Sequence, residues 1–418
     1  MDVGIRFNRT MLLATVCSVA VATIYVAQPV LAQMGRDLEV PEADLGWVVA
    51  AGQVGYLMGL VVLVPLGDML DRRKLIGAQL LLAAVGMLVA AVAPGLWLLL
   101  VGLAGAGLFA VVVQTTVAFA ADLSTPAERG RTLGVVTSGV VIGILGARVL
   151  AGGLAALWGW RSIYITLAVL LVVLSLIVLK QLPAGHRPAR RTSYGDVMVS
   201  LGLLFREPLF LSRGLIAFFL FASFGTLWSG LALPLAAEPW QLSPAQIGLF
   251  GTAGLAGALG AARAGRWADA GHANVVTGSA LVLLAASWIA SGQAAWQLWP
   301  VVVGVLVLDF AVQAVHVSNQ TLLTAEYSHR TSSVIGGYML FYSLGSALGA
   351  TATTTVYSTS GWTGSAVLGA GFALCGLLTW AFSRQMLARC GCGPSSSDGR
   401  HESAPMGHGT PNMNGAPR

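Results

Sequence analysis

Charge is scarce in this 418-residue chain: Asp, Glu, Lys and Arg together make up 10% of it, against about 25% in a soluble domain. Apolar residues make up 56%, and mean hydropathy is +0.78. A soluble fold would lack the polar skin to cover such a core. Cysteine is also rare. Cys17 and Cys375 lie in apolar runs, and Cys390 and Cys392 lie in a polar tail with His401 and His408. That spacing fits no zinc pattern, so neither a metal site nor a disulfide framework is expected. Catalytic signatures are missing too: there is no GxSxG elbow, HExxH pair, phosphate loop or paired carboxylates in one loop. Enzymatic activity and a bound cofactor are therefore not expected. Without a phosphate loop ATP is not the energy source, which leaves an ion gradient.

What the chain does have is apolar runs. A helix needs about 20 such residues to cross a bilayer, and twelve runs qualify: 11–33, 45–66, 75–93, 96–121, 132–158, 162–180, 209–235, 246–265, 274–292, 297–322, 332–357 and 363–383. The fold class is thus an all-α integral membrane protein, with 52 glycines for close helix packing. The first run lacks a small-residue cleavage site and is read as a span, not a signal peptide. Lys and Arg cluster in alternate connections, among them Arg72, Arg73, Lys74, Arg129, Arg131, Arg187, Arg190 and Arg191. The other connections hold Arg36 and Arg161 beside Asp37, Glu39, Glu42, Asp44 and Glu238. The basic side is expected to be cytoplasmic, with both termini inside. The net charge of +6 is then topology charge, and no nucleic-acid partner is implied.

The densest charge lies in Gly67-Asp68-Met69-Leu70-Asp71-Arg72-Arg73-Lys74, between spans 2 and 3. A weaker copy, Gly265-Arg266-Trp267-Ala268-Asp269, follows span 8. Further pairs recur at an offset near half the chain: Gly46, Gly52 and Gly55 with Gly248, Gly254 and Gly257; Arg131-Thr132 with Arg330-Thr331; Gly159-Trp160 with Gly361-Trp362. The chain therefore reads as a duplicated six-span unit. Residues 1–181 form one bundle, 182–208 a Pro/Gly/Arg-containing cytoplasmic linker, 209–385 a second bundle, and 386–418 a disordered tail. Parallel repeats of this kind suit a rocking secondary transporter with its site at mid-membrane between the halves.

Gly67, Asp71, Arg72 and Lys74 in their loop, Pro126 to Arg131 entering span 5, and the run Ser138-Gly139, Gly143, Gly146, Gly152-Gly153 and Gly159-Trp160-Arg161 together resemble the major facilitator superfamily. The resemblance covers about residues 10–385 and is strongest to bacterial twelve-span drug and sugar efflux permeases of the drug/proton antiporter type. It implies a monomer in the bacterial inner membrane, exchanging a small-molecule substrate for protons. It also implies that Gly67, Asp71 and Arg72 act with Asp122, and more weakly through Gly265 and Asp269, as a latch on the cytoplasmic side. The chain departs from the pattern at Ala147-Arg148, where antiporters place a proline, and at Val101, where many members carry an arginine.

Span 10 carries the clearest polar face: Asp309, Gln313, His316 and Gln320 follow helical spacing, with Asn319 at its border. Asp309 lies roughly 13 Å along from Pro300 at 1.5 Å per residue, near the midplane. An ionisable group there costs at least about 2.5 kcal/mol unless it faces protein or water. Asp309 is the first candidate for a proton site, with Arg148 and His316 as candidate companions; the other readings are inter-helix pairing for Asp309, a clamp between the halves or structural pairing for Arg148, and a polar cavity-wall residue for His316. Tyr25, Gln28, Gln53, Gln114, Trp228, Gln313, Asn319, Tyr338 and Tyr342 are candidate walls of a substrate cavity, and each can equally be packing glue. A wall rich in aromatics and poor in charge suits amphiphilic or neutral solutes.

Overall fold

The computed structural model describes residues 2–68, 70–124, 129–183, 202–260, 271–327 and 331–389, with isolated positions 195, 199 and 267. Most of the linker, the repeat loop bearing Gly265 and Asp269, and the tail from 390 lie outside the described residues. Among the described residues every regular element is helical. In chain order these are α1 (Asp2–Tyr25), α2 (Leu31–Leu38), α3 (Gly46–Val62), α4 (Arg72–Ala91), α5 (Leu96–Ala110), α6 (Val112–Asp122), α7 (Arg129–Trp158) and α8 (Arg161–Gln181). Then come α9 (Pro208–Gly230), α10 (Ala232–Ala236), α11 (Pro244–Gly260), α12 (Ala273–Ser291), α13 (Leu298–Glu326) and α14 (Thr331–Arg389).

Among the described residues, ten segments are long and apolar enough to cross a bilayer. One of them, Val334–Gln385, is 52 residues long and bends at Gly361, where φ is 62° and ψ is −163°. It supplies two crossings, where the sequence suggested two helices with a gap at 358–362. The 17-residue α11 adds another. Apolar runs of this length leave little choice but helix, since every backbone polar group must be satisfied within its own segment in hydrocarbon.

Three expected spans are broken rather than continuous. Span 4 parts into α5 and α6 at Val111, with no proline in the run. The first run divides into α1, a 3₁₀ turn at Gln28–Val30, and α2. Span 7 divides into α9 and α10. The last two breaks share a cause. A proline has no N–H and its ring clashes with the carbonyl four residues earlier. Pro29 stands four residues after Tyr25, and Pro234 four after Gly230; those residues are where α1 and α9 end.

The repeat is visible in the backbone itself. Glu39 and Gln241 both adopt left-handed conformations (φ 52° and 44°), as do Gly159 and Gly361 (φ 79° and 62°); each pair is separated by 202 residues. Helices α3 and α14 meet where Gly46 abuts Ala350, Thr351 and Thr354, and α11 and α7 meet where Gly248 abuts Arg148, Val149 and Gly152. These two seams obey the same offset, so they are equivalent contacts between the two halves.

Both seams lie toward the end of the bundle that carries the acidic loops. The Gly46 N–H donates to Thr354 Oγ1 at 3.1 Å, and that hydroxyl donates to Ala43 O at 3.2 Å. Helix α2 packs on α10 at the same end. Toward the basic end, the equivalent glycines Gly134 and Gly336 have no neighbouring atom within 4 Å of where a side chain would stand. Among the described residues, the halves touch at the acidic end and part toward the basic one.

Candidate transport site

Arg148 on α7 is fully buried, at 0% exposure, in the middle of one seam. Its Nε donates to Gln28 Oε1 at 3.0 Å, a side chain presented by the turn that Pro29 forces between α1 and α2. The guanidinium stacks on the Trp228 ring, 3.8 Å from the centroid, with Phe224 at 5.4 Å and Tyr25 at 5.6 Å. A desolvated cation on an indole face gains about 2 kcal/mol. From its edge, Trp228 Nε1 donates to Asp309 Oδ1 at 3.2 Å. One indole thus joins a cation of the first half to a carboxylate of the second.

Arg148 and Asp309 attract each other electrostatically without forming a direct ion pair; Trp228 contacts both, through its ring face and its Nε1. Four atoms here are buried with no hydrogen-bond partner in the protein: Arg148 Nη1 and Nη2, Gln28 Nε2 and Asp309 Oδ2. Leaving such a group unpaired costs about 1–3 kcal/mol, more when it is charged. A small cavity of about 10 Å³, bordered by Gln28, Pro29, Trp228 and Ile247, adjoins the site. A larger one, about 430 Å³, lies apart at the acidic end between α2 and α10, where Arg36, Glu39 and Glu42 meet Leu233 and Ala236.

Glycine makes the carboxylate's place. A Cβ on Gly254 would collide with Asp309 Oδ2. At the equivalent position in the first half, Gly52, the nearest atom is 3.8 Å away. The repeat supplies Gly107 where Asp309 stands and Ala350 where Arg148 stands, so the charge centre belongs to one of two equivalent places only.

The other expected site residues fall elsewhere. His316 does not join Asp309; its Nδ1 lies 3.2 Å from the Tyr338 hydroxyl and its Nε2 3.2 Å from Gln320 Nε2. Phe221 packs edge-on against His316 and sits 4.0 Å from Tyr342, centroid to centroid. Asn319 is buried at 0% exposure and accepts a 3.2 Å hydrogen bond from Arg213 Nη1, so it faces a neighbouring helix and not an open cavity. Gln114 Nε2 donates to the Tyr56 hydroxyl at 3.0 Å. Gln53 is buried and interacts with Tyr25 beside Arg148; Gln313 is half-buried and joins none of these clusters.

Arg213 is the residue that sequence reading passed over. It is 1% exposed, bonded through Nη1 to Asn319 and through Nη2 to Asn274. Its signal was a lone arginine inside the 209–235 run. Val101, by contrast, is 65% exposed and points away from the site.

In the charged loop, Arg72 Nη1 bonds Asp122 Oδ2, and its Nε donates to Gly67 O at 3.0 Å. Asp71 caps α4, its Oδ1 accepting from Arg73 N at 2.9 Å and Lys74 N at 3.4 Å. Arg73 reaches Leu182 O at 3.2 Å. Gly67, Asp71, Arg72 and Asp122 are thus brought together, all within the first half.

The duplicated twelve-crossing helical fold, with its seams between halves and its glycine-lined charged loop, is that of a secondary transporter. The chain belongs to the Major Facilitator Superfamily, whose model matches residues 11–232 and 214–389. It is 39% identical to YgaY of Escherichia coli (strain K12), an uncharacterized transporter, over 90% of this chain and 96% of that one. It is 32% identical to the transporter SCO4007 of Streptomyces coelicolor, over 87% and 85%. Among solved structures it is similar to a bacterial homolog of the human lysosomal transporter Spinster, inward-facing and unoccupied. The TM-score is 0.77 and the identity 14%, over 92% of this chain and 98% of that one.

Proposed function

We propose that this transporter exports small amphiphilic or net-neutral compounds from the cytoplasm by alternating access, in exchange for protons taken up at Asp309. The observation that carries this reading is the chain Arg148–Trp228–Asp309 across a seam between halves. A proton on Asp309 removes the charge that balances Arg148, so proton loading changes an interaction spanning the halves. Coupling of this kind links an ion's occupancy to a rigid-body motion.

In this reading the protein works as a monomer in the bacterial inner membrane, with its basic loops and both termini in the cytoplasm. The described state, closed at the acidic end, is then open toward the cytoplasm. Gly67, Asp71, Arg72 and Asp122 act as the cytoplasmic latch, with Gly265 and Asp269 as its weaker copy. His316 and Gln313 belong to the wall of the cytoplasmic vestibule, with the buried Tyr338 and Tyr342 packed behind them.

The test uses everted vesicles holding a preset pH gradient, challenged with a panel of amphiphilic compounds, sugars, nucleosides and amino acids. A substrate of the wild-type protein should partly collapse the gradient, and Asp309→Asn should abolish that collapse while the protein still reaches the membrane. Transport without proton movement would make the protein a uniporter and overturn the coupling.

A further inference from the structure

The charge centre leaves unused hydrogen-bonding capacity of two opposite kinds, on two sides of one indole. On the α7 side, Arg148 Nη1 and Nη2 are buried and unpartnered while Nε is taken by Gln28. The two terminal nitrogens of a guanidinium form a planar fork that matches the two oxygens of a carboxylate. Gln28 Nε2, a further unpartnered donor, belongs to the same side chain that holds Nε. On the α13 side, Asp309 Oδ1 is taken by Trp228, and Oδ2 is buried and unpartnered. A carboxylate oxygen only accepts, so it calls for a donor, and a cationic donor forms the stronger bond.

Neither group satisfies the other. Trp228 is held to both by its stack on Arg148 and its bond to Asp309. A purely cationic solute would satisfy Asp309 and sit beside the uncompensated Arg148. A purely anionic one would satisfy Arg148 and be repelled by Asp309. A molecule carrying both charges a few ångströms apart satisfies both groups and adds no net charge to a buried site. The apolar surroundings, Tyr25, Phe224, Leu231 and Ile247, suit an aliphatic or aromatic substituent.

We infer that Arg148, Gln28, Trp228 and Asp309 form a binding site for a zwitterion of the α-amino-acid type with an apolar side chain, its carboxylate on Arg148 and its ammonium on Asp309. This rests on the functional reading above and gives it a substrate class. Net neutrality and amphiphilicity then describe one kind of molecule. The ammonium and the proton compete for the same oxygen, which is the condition for exchange.

The test is isothermal titration of the full-length protein in nanodiscs with two matched trios. One is leucine, 4-methylpentanoate and isopentylamine; the other is phenylalanine, 3-phenylpropionate and phenethylamine. In at least one trio the amino acid should bind about ten-fold or more tightly than either half-molecule, the equivalent of about 1.4 kcal/mol. Arg148→Gln should remove the preference for the amino acid over the amine, whose own binding should hold or tighten because a like charge has gone. Asp309→Asn should likewise remove the preference for the amino acid over the acid. If Arg148→Gln fails to fold, Arg148→Lys, which keeps the charge but loses the fork, should weaken the amino acid and spare the amine.

An amine binding as tightly as its amino acid overturns the inference in favour of a cation site while leaving proton exchange at Asp309 intact. Equal binding by the acid overturns it in favour of an anion site. No binding by any member of either trio also overturns it. Selective amino-acid binding with no proton movement in vesicles leaves the site standing and removes the exchange.

Discussion

At the residue scale, Trp228 has two roles that substitutions separate. Trp228→Phe keeps a ring beneath Arg148 and loses the donor to Asp309 Oδ1. Trp228→Ala loses both and leaves the guanidinium without its cation–π partner. The stack contributes about 2 kcal/mol when desolvated, so Trp228→Ala should reduce transport about ten-fold or more below Trp228→Phe. Initial transport rates in vesicles, normalised to protein in the membrane, decide this; equal rates for the two variants would reduce Trp228 to a hydrogen-bond donor. Asp309 was legible in the sequence because a lone carboxylate on the polar face of an apolar helix is a strong signal. Its partners were less legible. Helical spacing placed Asn319 beside the cavity face, yet it turns to Arg213, a contact between α9 and α13 that no spacing along one helix encodes. His316 shares a stripe with Asp309 but stands about 10 Å further along the axis at 1.5 Å per residue, and there Tyr338 claims it.

At the element scale, glycines set how closely helices approach, and the two halves use equivalent glycines differently. Gly52 sits against Gly107, whose own Cβ would strike Gly52 backbone. Gly254 instead makes room for the Asp309 carboxylate. Gly254→Ala should therefore push Asp309 off Trp228, with an overpacking cost of about 1–3 kcal/mol. Gly52→Ala, with ordinary contact distances, should cost less. Thermal unfolding in detergent and gradient collapse in vesicles, run on both variants, test the difference; a harmless Gly254→Ala would mean that Asp309 has another resting place. The sequence made these glycines visible as repeat markers, though not their separate uses. It also showed two of the helix breaks only as prolines inside apolar runs, and the break at Val111 not at all. Whether a proline kinks a span or splits it depends on whether neighbours take up the freed backbone groups, and that is decided by packing.

At the scale of the whole molecule, the two seams should control which end is open. Both depend on backbone approach at glycine, so a side chain at Gly46 or Gly152 should hold the acidic end apart. A cysteine introduced at Ala232, buried beside the small cavity, would report this. With Gly152→Leu, its labelling by a charged thiol reagent applied from the acidic side should rise several-fold, while transport falls. Unchanged labelling would show that closure does not depend on this seam. The fold was legible at this scale because a repeat offset of about half the chain runs through loops, glycines and turns alike. The direction in which the halves tilt was not, since both states share one sequence and one set of helices.

The seams have a thermal consequence. Gly46 and Gly248 meet their partners through main chain, hydroxyl and small side-chain groups, so separating the halves there wets little hydrocarbon. Exposure of apolar surface is what raises heat capacity, and exposure of polar surface lowers it. Opening the acidic end also wets Trp228, Phe224, Leu231 and Ile247, buried in the same seam, so its heat-capacity change is positive and comes from those side chains, not from the glycine contacts. The balance between the two states then curves with temperature in the same sense as unfolding of the bundles, and the site's own aromatic lining sets how strongly.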